Sequence, residues 1–323
     1  MGVSKKIPSP SRTSAGPSLS RVRERGGERM KPSTDPVTLA VIQAALSAVG
    51  EEMFVALRNT AMSAIIYEVL DMGTGITDPV GELATSGCGI PSFMSVMDKA
   101  VRRVIELKGA ATIKPGDLFI LNDPYYGAVT HLNDVALLLP VFVGKTLVAW
   151  VGNIAHWPDV GGAVPGSMGS GSTDIWQEGL RLPAVRLFEG GEIVPSVLEI
   201  LLANTRLPDT LKGDMWAGVA SVRVGERRIR ELVAKYGLTA FQESLADYMR
   251  QGEEWTRKGL ARLPHGGFER TEPQEKGEPW KVRIEIAADH FTVDLRGCPD
   301  QGASPYNLSR DGTIIAAQMI SRR

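Results

Sequence analysis

Three stretches of the chain have helical patterns and predict most of its helices. The first covers residues 36–62, where apolar side chains recur every three or four positions behind Asp35, a residue that favours a helix start. A second helix is predicted for residues 92–107, with Gly109 ending it. Residues 196–263 form a third, helix-rich block in which charges alternate at helical spacing.

Shorter apolar runs between turn residues predict β-strands. Residues 74–86, TGITDPVGELATS, read as two strands joined by an Asp-Pro-x-Gly turn, and GDLFI predicts a strand that ends at the turn of residues 122–124. Residues 281–297 alternate apolar and polar side chains and predict a hairpin that turns near Ala288. The polar stretch at 265–279 is predicted as a linker. Together these patterns predict an α+β fold with mixed or antiparallel sheets and a helix-rich middle block.

The longest apolar stretch is predicted as a hairpin. The runs VALLLPVFV (135–143) and TLVAWVGNIA (146–155) are separated by Gly-Lys, and Gly followed by another residue suits a two-residue turn because Gly adopts the positive φ required. A register centred on this turn pairs residues whose numbers sum to 289. Pro140 demands an edge position or a bulge, and a bulge would shift that register by one residue.

This hairpin brings distant polar residues together. In the expected register Asp134 faces Ala155 and Asn133 faces His156, so His156 lies beside the turn that carries His131. Paired Cα atoms in antiparallel strands are about 4.5–5.5 Å apart, which allows His131, Asp134 and His156 to converge on one metal ion. Two imidazoles and one carboxylate suit Mn, Fe(II) or Zn and can activate water or polarise a carbonyl. The alternative is that both histidines merely cap the polar ends of a hairpin.

The two remaining histidines, His265 and His290, are predicted to be structural, because no acidic residue or histidine stands near them at ligand spacing. Residues 166–173, GSMGSGST, nearly match a phosphate-binding loop, but Ser172 replaces the lysine, so nucleotide binding is not predicted. We expect a mobile loop that closes over the metal cluster, followed by the stretch TDIWQEGLRLP with polar contacts for a substrate.

Composition narrows the class of protein. The chain has 323 residues, 43% hydrophobic and 23% charged, with a net charge of −1, which gives no argument for nucleic acid or an anionic membrane as partner. The longest apolar run, around VALLLPVFV, is too short to span a bilayer, so no transmembrane helix is expected. The two cysteines, Cys88 and Cys298, fit a reducing, cytoplasmic compartment and offer no cysteine zinc site. Cys88 is predicted as a plain small residue rather than a nucleophile.

The chain is expected to divide into three parts. Residues 1–33 are rich in Ser, Pro, Gly and Arg and are predicted to be a disordered extension. Translation is expected to begin at Met30, with an organellar transit peptide as the alternative. Residues 34–263 are predicted as the core with the metal site, and residues 264–323 as the start of a second, β-containing region that looks truncated.

Several separated motifs carry a family resemblance. LNDPYYGAVTHLNDV, NIAHWPDVGG, PGSM, QEGLRLPAV, LLANTRLPD and RVGERRIREL occur in the order found in the hydantoinase B/oxoprolinase family, from about residue 35 onward. That family includes the B subunit of N-methylhydantoinase, the C-terminal part of 5-oxoprolinase and the large subunit of acetone-type carboxylases. The resemblance implies an A-type partner subunit that binds ATP and activates a carbonyl oxygen by phosphorylation.

The resemblance also implies site residues. In the acetone-carboxylase branch a manganese-type site uses a His-x-x-Asp and a later His, which correspond to His131, Asp134 and His156. Many members have a second histidine where Trp157 stands here, and members usually continue well beyond this length. We expect Asp123 and Asp159 to orient the histidine ligands or to act as bases.

The predicted function is therefore metal-assisted hydrolysis of a cyclic amide such as a hydantoin or 5-oxoproline, by a B-type subunit whose A-type partner handles ATP. Manganese is the expected metal, with zinc or iron as alternatives. One rival is a subunit of an ATP-dependent ketone carboxylase, which shares the site but uses bicarbonate. A second rival is an inactive fragment that assembles with, or imitates, a full-length subunit.

Overall fold

The computed structural model describes residues 33–320, apart from residues 128, 275 and 276, so the extension and start site predicted for residues 1–33 lie almost entirely outside it. The described helices are α1 (Pro36–Thr60), α2 (Ala64–Tyr67), α3 (Pro91–Lys108), α4 (Pro195–Ala203), α5 (Pro208–Tyr236), α6 (Leu238–Leu260) and α7 (Arg310–Ile320). The described strands are β1 (Met72–Thr77), β2 (Leu83–Gly89), β3 (Leu118–Leu121), β4 (Asp134–Val143), β5 (Thr146–His156), β6 (Val185–Glu189), β7 (Glu192–Ile193), β8 (Gly266–Glu272), β9 (Trp280–Ile286) and β10 (Phe291–Asp294).

The strands form two sheets, and every pairing in them is antiparallel. Seven strands make the larger sheet in the order β2-β1-β5-β4-β3-β6-β7, and three make the smaller in the order β10-β9-β8. The predicted α+β class is confirmed, as are the three hairpins β1–β2, β4–β5 and β9–β10.

Helices cover both faces of the larger sheet. Alternate residues of β4 pack into two separate apolar clusters, one shared with α1 and α5 and the other shared with α3. The first set is Val135, Leu137, Leu139 and Val141, and the second is Ala136 and Leu138. Because both faces of β4 are buried, its sequence is a continuous apolar run rather than an alternating one.

Helix α1 begins as its sequence predicts. The Asp35 side chain accepts a hydrogen bond of 2.9 Å from the Thr38 amide, and Pro36 occupies the first turn. By length and composition α1 could also cross a membrane, which the apolar runs had not predicted. One stripe of it, which includes Ile42, Leu46 and Met53, is buried against the sheet and α5, as in a core helix of a globular domain.

The predicted hairpin register holds near the turn and fails beyond it. Gly144 has φ +60°, and the pairs next to the turn sum to 289, but from Val141 onward the sum is 290. The step is a bulge in which Val148 is the extra residue of β5. The bulge is next to Pro140, which pairs with Trp150 of β5 and lies beyond the β4 residues that pair with β3. As a consequence of the bulge, Asp134 faces His156 rather than Ala155.

The linker prediction for residues 265–279 is wrong over its first half. Strand β8 occupies Gly266–Glu272 and pairs with β9, although every residue in it is exposed. A strand without a buried face carries no apolar alternation, so the sequence pattern could not reveal it. The predicted boundary at residue 264 stays a prediction, and α7, which follows this sheet, packs against α3 through Ile315.

Candidate metal centre

Three adjacent strands of the larger sheet place polar residues in one row. His156 ends β5 and pairs with Asp134 at the start of β4. On the other side of β5, Met72 pairs with Ala155, so Asp71 is next to His156, whose amide donates a 3.0 Å hydrogen bond to the Asp71 carbonyl. Strand alternation directs the three side chains of the row, Asp71, His156 and Asp134, to the face that α3 covers.

A clamped turn adds His131 to this row. The His131 carbonyl accepts a 3.0 Å hydrogen bond from the Asp134 amide, which closes the turn. The Asn122 side chain donates to the carbonyl of Leu132 at 2.7 Å, and Leu132 is itself buried. The turn is therefore anchored to the end of β3, and the position of His131 does not depend on a loose loop.

The three predicted metal ligands come together in the structure. Each offers one ligand atom, and these atoms lie within 4.8 Å of one another. His131 Nε2 is 3.2 Å from Asp134 Oδ2, and His156 Nδ1 is 3.4 Å from Asp134 Oδ1. The two imidazole rings are 5.1 Å apart between centroids. The side chain of Asp134 is 2% exposed and that of His131 is 36% exposed, so one side of the cluster is open to a ligand.

The hydrogen bonding of Asp134 is incomplete in a way that fits a cation. Thr130 Oγ1 donates to Asp134 Oδ2, but the buried Oδ1 has no hydrogen-bond partner among the residues that the structure describes. An unpartnered buried carboxylate oxygen costs free energy, and a divalent cation held with the two imidazoles would satisfy it. A set of two His nitrogens and one carboxylate fits Mn, Fe(II) or Zn.

Asp71 is a fourth polar group at the cluster that the sequence did not reveal. Its Oδ2 is 3.7 Å from His156 Nδ1. Burial raises the pKa of the Asp71 carboxyl and the neighbouring Asp134 raises it further, whereas His156 and His131 act in the opposite direction. No local motif marks Asp71, because it reaches the site through the pairing of β1 with β5, which are far apart in sequence.

Asp123, predicted as an orienting group or base, is engaged elsewhere. Its carboxylate accepts hydrogen bonds from the amides of Tyr125 and Tyr126 at 2.8 and 3.0 Å and from Arg181 Nε at 2.7 Å. Extension of the β3–β4 register places Asp123 beside Asp134, yet none of its described hydrogen bonds goes to a histidine. Its predicted role stays a prediction.

Asp159, the second predicted base, ties the glycine loop, residues 161–173, to the segment just before α5. It accepts from the amides of Gly161 and Gly166 at 3.0 and 2.9 Å and from Arg206 Nη1 at 2.8 Å. Burial favours a higher pKa for Asp159, but the hydrogen bonds from Arg206 and the loop amides outweigh it and hold the pKa below its ordinary value. A low pKa makes a carboxylate a poor proton acceptor near neutral pH, and the role predicted for Asp159 also stays a prediction.

The other two histidines lie outside this cluster. His265 Nε2 is 3.3 Å from the Leu260 carbonyl, and His290 Nδ1 is 2.8 Å from Asp289 Oδ1 in an exposed turn. An acidic partner for His290 was not expected from the sequence, but one exposed carboxylate is not a ligand set. Cys88 and Cys298 are free thiols.

Comparison with known proteins agrees with this fold. A family model described as hydantoinase B/oxoprolinase matches residues 35–322, and the chain belongs to that family. It is 33% identical over 286 residues to an uncharacterized protein of Methanocaldococcus jannaschii, covering 87% of this chain and 51% of that protein. It is 30% identical over 265 residues to the caprolactamase subunit beta of Pseudomonas jessenii, covering 82% of this chain and 45% of that subunit. The predicted family resemblance is thereby confirmed.

Solved structures show the same architecture. The ATP-dependent caprolactamase from Pseudomonas jessenii matches with a TM-score of 0.84 and 28% sequence identity, over 89% of this chain and 50% of that one. An acetone carboxylase matches with a TM-score of 0.80 over 88% of this chain and 40% of that one, and at 18% identity this likeness concerns the fold alone. The chain thus spans about half the length of the curated relatives that it matches.

Proposed function

We propose that this chain is the B-type subunit of an ATP-dependent enzyme that opens a cyclic amide, such as a hydantoin or 5-oxoproline, with help from a divalent metal. The observation that carries the proposal is the buried Oδ1 of Asp134, which has no hydrogen-bond partner among the described residues, on a carboxylate that faces two imidazoles. Membership of a family with cyclic-amide hydrolases supports the reaction class.

His131, Asp134 and His156 would hold the metal, with manganese expected and zinc or iron as alternatives. When bound, the cation would supply Lewis-acid polarisation of the ring carbonyl or a more acidic water. Asp71 would place a further carboxylate beside the metal, since its Oδ2 lies 3.7 Å from the same His156 Nδ1 that faces Asp134. The partly exposed His131 would leave space for the substrate.

We further propose that ATP is handled by a separate A-type ATPase subunit. The relatives support this arrangement, because one is an ATP-dependent caprolactamase and another is named as its subunit beta. Residues 166–173 do not supply a phosphate-binding lysine, as Ser172 stands at that position. The same proposal places the complex in the cytoplasm, where the partner has access to ATP.

Metal content tests the site directly. Wild type, His131→Ala and the control His290→Ala would be reconstituted with Mn²⁺, desalted and measured by elemental analysis. We expect about one equivalent in wild type and in the control, whose histidine lies in an exposed turn, and close to none in His131→Ala. Equal, near-zero occupancy in all three proteins would overturn the metal site.

Turnover by the complex separates the proposed reaction from its rivals. Coexpressed with an A-type subunit, the chain should support ATP-dependent loss of hydantoin or 5-oxoproline. Bicarbonate-dependent consumption of a ketone would instead favour a carboxylase, a rival that the fold likeness to acetone carboxylase keeps open. Co-purification without turnover of either substrate would favour an assembly fragment.

A further inference from the structure

Arg181 presents a rigid guanidinium group close to the candidate metal centre. Its Nε donates to Asp123 Oδ2 at 2.7 Å, and its Cζ lies 4.5 Å from the ring centroid of Trp176 and 5.6 Å from that of Tyr126. Trp176 is itself held by a 2.9 Å hydrogen bond from its amide to Asp174 Oδ1. The guanidinium is fixed by one ion pair and two aromatic faces before any ligand arrives.

Comparison with two similar arginines shows what is unusual about Arg181. Arg186 and Arg206 also pair with buried aspartates, but their terminal nitrogens donate to backbone carbonyls, those of Thr112 at 2.8 Å and Gly162 at 2.6 Å respectively. The terminal nitrogens of Arg181 make no hydrogen bond to any residue that the structure describes. Arg186 and Arg206 thus stabilise loops, whereas Arg181 keeps donors for a ligand.

One side chain connects Arg181 to the metal ligands. The Asn122 amide nitrogen donates to the carbonyls of Leu132 at 2.7 Å and Leu180 at 2.9 Å. Leu132 follows His131, and Leu180 precedes Arg181. The two groups are therefore held on neighbouring segments at the same end of the sheet.

The charges around Arg181 favour a neutral ligand. Asp123 already pairs with Arg181, and two more acidic residues, Asp174 and Glu178, belong to the same segment. The pKa of the half-buried Glu178 is raised first by burial and second by Asp174. The pKa of Tyr125 is raised first by burial and second by Glu178, so these groups share one electrostatic environment. An anion would meet a net negative surrounding, whereas a neutral amide ring offers a carbonyl to Arg181 and an N–H to Glu178.

We propose that Arg181, Trp176 and Glu178 form a recognition subsite for a neutral cyclic amide, which selects a hydantoin-type ring over one that carries a carboxylate, such as 5-oxoproline. Trp176, 72% exposed, supplies an apolar face for the ring. This inference rests on the proposed function for its substrate class, but the subsite is separate from the metal ligands and can be tested without metal.

Indole NMR of the full chain in EDTA gives a readout at the subsite. The chain has six tryptophans, and Trp176→Phe assigns the indole signal of Trp176. We expect hydantoin to shift that signal in a saturable way, and 5-oxoproline to bind at least about fivefold more weakly. An unmoved Trp176 signal, or tighter binding of 5-oxoproline than of hydantoin, would overturn the proposal.

Two variants examine the donors and the charge separately. Arg181→Lys keeps the positive charge but loses the planar set of guanidinium N–H donors. It should weaken hydantoin binding about tenfold, as expected for one hydrogen bond to a charged group. Glu178→Gln should reduce or reverse the preference for binding hydantoin over 5-oxoproline. The control Arg227→Lys, on an exposed helix face, should bind as wild type does. Unchanged hydantoin binding by Arg181→Lys, or an unchanged preference in Glu178→Gln, would count against the subsite, provided that the other indole signals show a folded protein.

The outcomes distinguish this subsite from the metal site. If wild type binds no metal but its Trp176 signal responds to hydantoin, the proposed function fails and the subsite stands. If wild type binds metal and the Trp176 signal does not respond, the subsite fails and the metal site stands.

Discussion

Asp134 and His156 are direct partners across the β4–β5 hairpin, and His156 Nδ1 lies 3.4 Å from Asp134 Oδ1. This pairing exists because Val148 is an extra residue in β5, which moves the distant half of the hairpin one position away from the register of its turn. Both side chains thereby fall on the same face of the sheet, where His131 and Asp71 also lie. A change of one position in the ladder would send one of them to the opposite face.

Metal binding should stabilise the wild-type fold but not that of the variant Asp134→Ala. A cation that binds the folded state at a free concentration of 100 times its dissociation constant adds about 2.7 kcal/mol to the free energy of unfolding. We expect Mn²⁺ to raise the thermal midpoint of wild type, EDTA to reverse the rise, and Asp134→Ala to abolish it. Differential scanning fluorimetry measures all three. A rise of equal size in Asp134→Ala would mean that the metal stabilises the protein from another place.

The hairpin was predictable because the information for it is local. Two apolar runs and a Gly-Lys turn identify both strands, and the restriction at Pro140 indicates where the register can change. Whether a bulge forms there, and on which strand, depends on packing against the helices on both faces of the sheet. The sequence of the hairpin alone carries no information about those helices. The three predicted ligands therefore come together as the hairpin prediction implies, although the expected pairs were one residue off.

Asp71 and β8 were not predictable, for different reasons. Asp71 reaches His156 only after β1 pairs with β5, and pairing between such distant segments leaves no trace in the spacing of either. Strand β8 is exposed along its length, so its residues carry no period that burial would impose. Strands β1 to β5 of the larger sheet carried that signal and were predicted, whereas β6 and β7 were not.

Two glycines in different surroundings should respond oppositely to alanine. A Cβ on Gly152 would lie 2.5 Å from Leu138 Cδ2 and 2.5 Å from Met97 Sδ, between β4 and α3. Such overpacking should cost about 1–3 kcal/mol of unfolding free energy. Gly252 lies at an exposed position of α6 with nothing within 4 Å of a new Cβ, and alanine there should add about 0.5–1 kcal/mol to the unfolding free energy. Urea unfolding of both variants measures the difference, and a loss in Gly252→Ala would show that α6 has a neighbour there.

Arg206→Met should loosen the glycine loop. Arg206 donates to the buried Asp159 and to the carbonyls of Gly161 and Gly162. Its loss leaves a buried carboxylate without its cation and should cost roughly 2 kcal/mol. Hydrogen exchange at the Gly166 amide, which donates to Asp159, should accelerate more than exchange in β4.

The exposed Arg227 is a matched control for that experiment. Arg227→Met removes the same charge from a helix surface, where a 3.9 Å contact with Glu231 contributes little. Its loop exchange and stability should equal those of wild type. If both variants loosen the loop alike, net charge rather than the Asp159 contact is responsible.

Glu243 should make the stability of the chain depend on pH in an acidic window. Hydrogen bonds from Thr34 and Ser33 lower the pKa of Glu243 from 4.5 to about 2. Because the folded state binds this proton more weakly than the unfolded state, the stabilising contribution is complete above pH 4.5 and disappears as the pH falls towards 2. Glu243→Gln lacks this titration, so the wild-type advantage in unfolding free energy should shrink between these pH values. Urea titrations of both proteins from pH 6 to about pH 2 give that difference, in which the other carboxylates cancel. A difference that stays constant over the window would show that Ser33 and Thr34 do not hold the ionised carboxylate in solution.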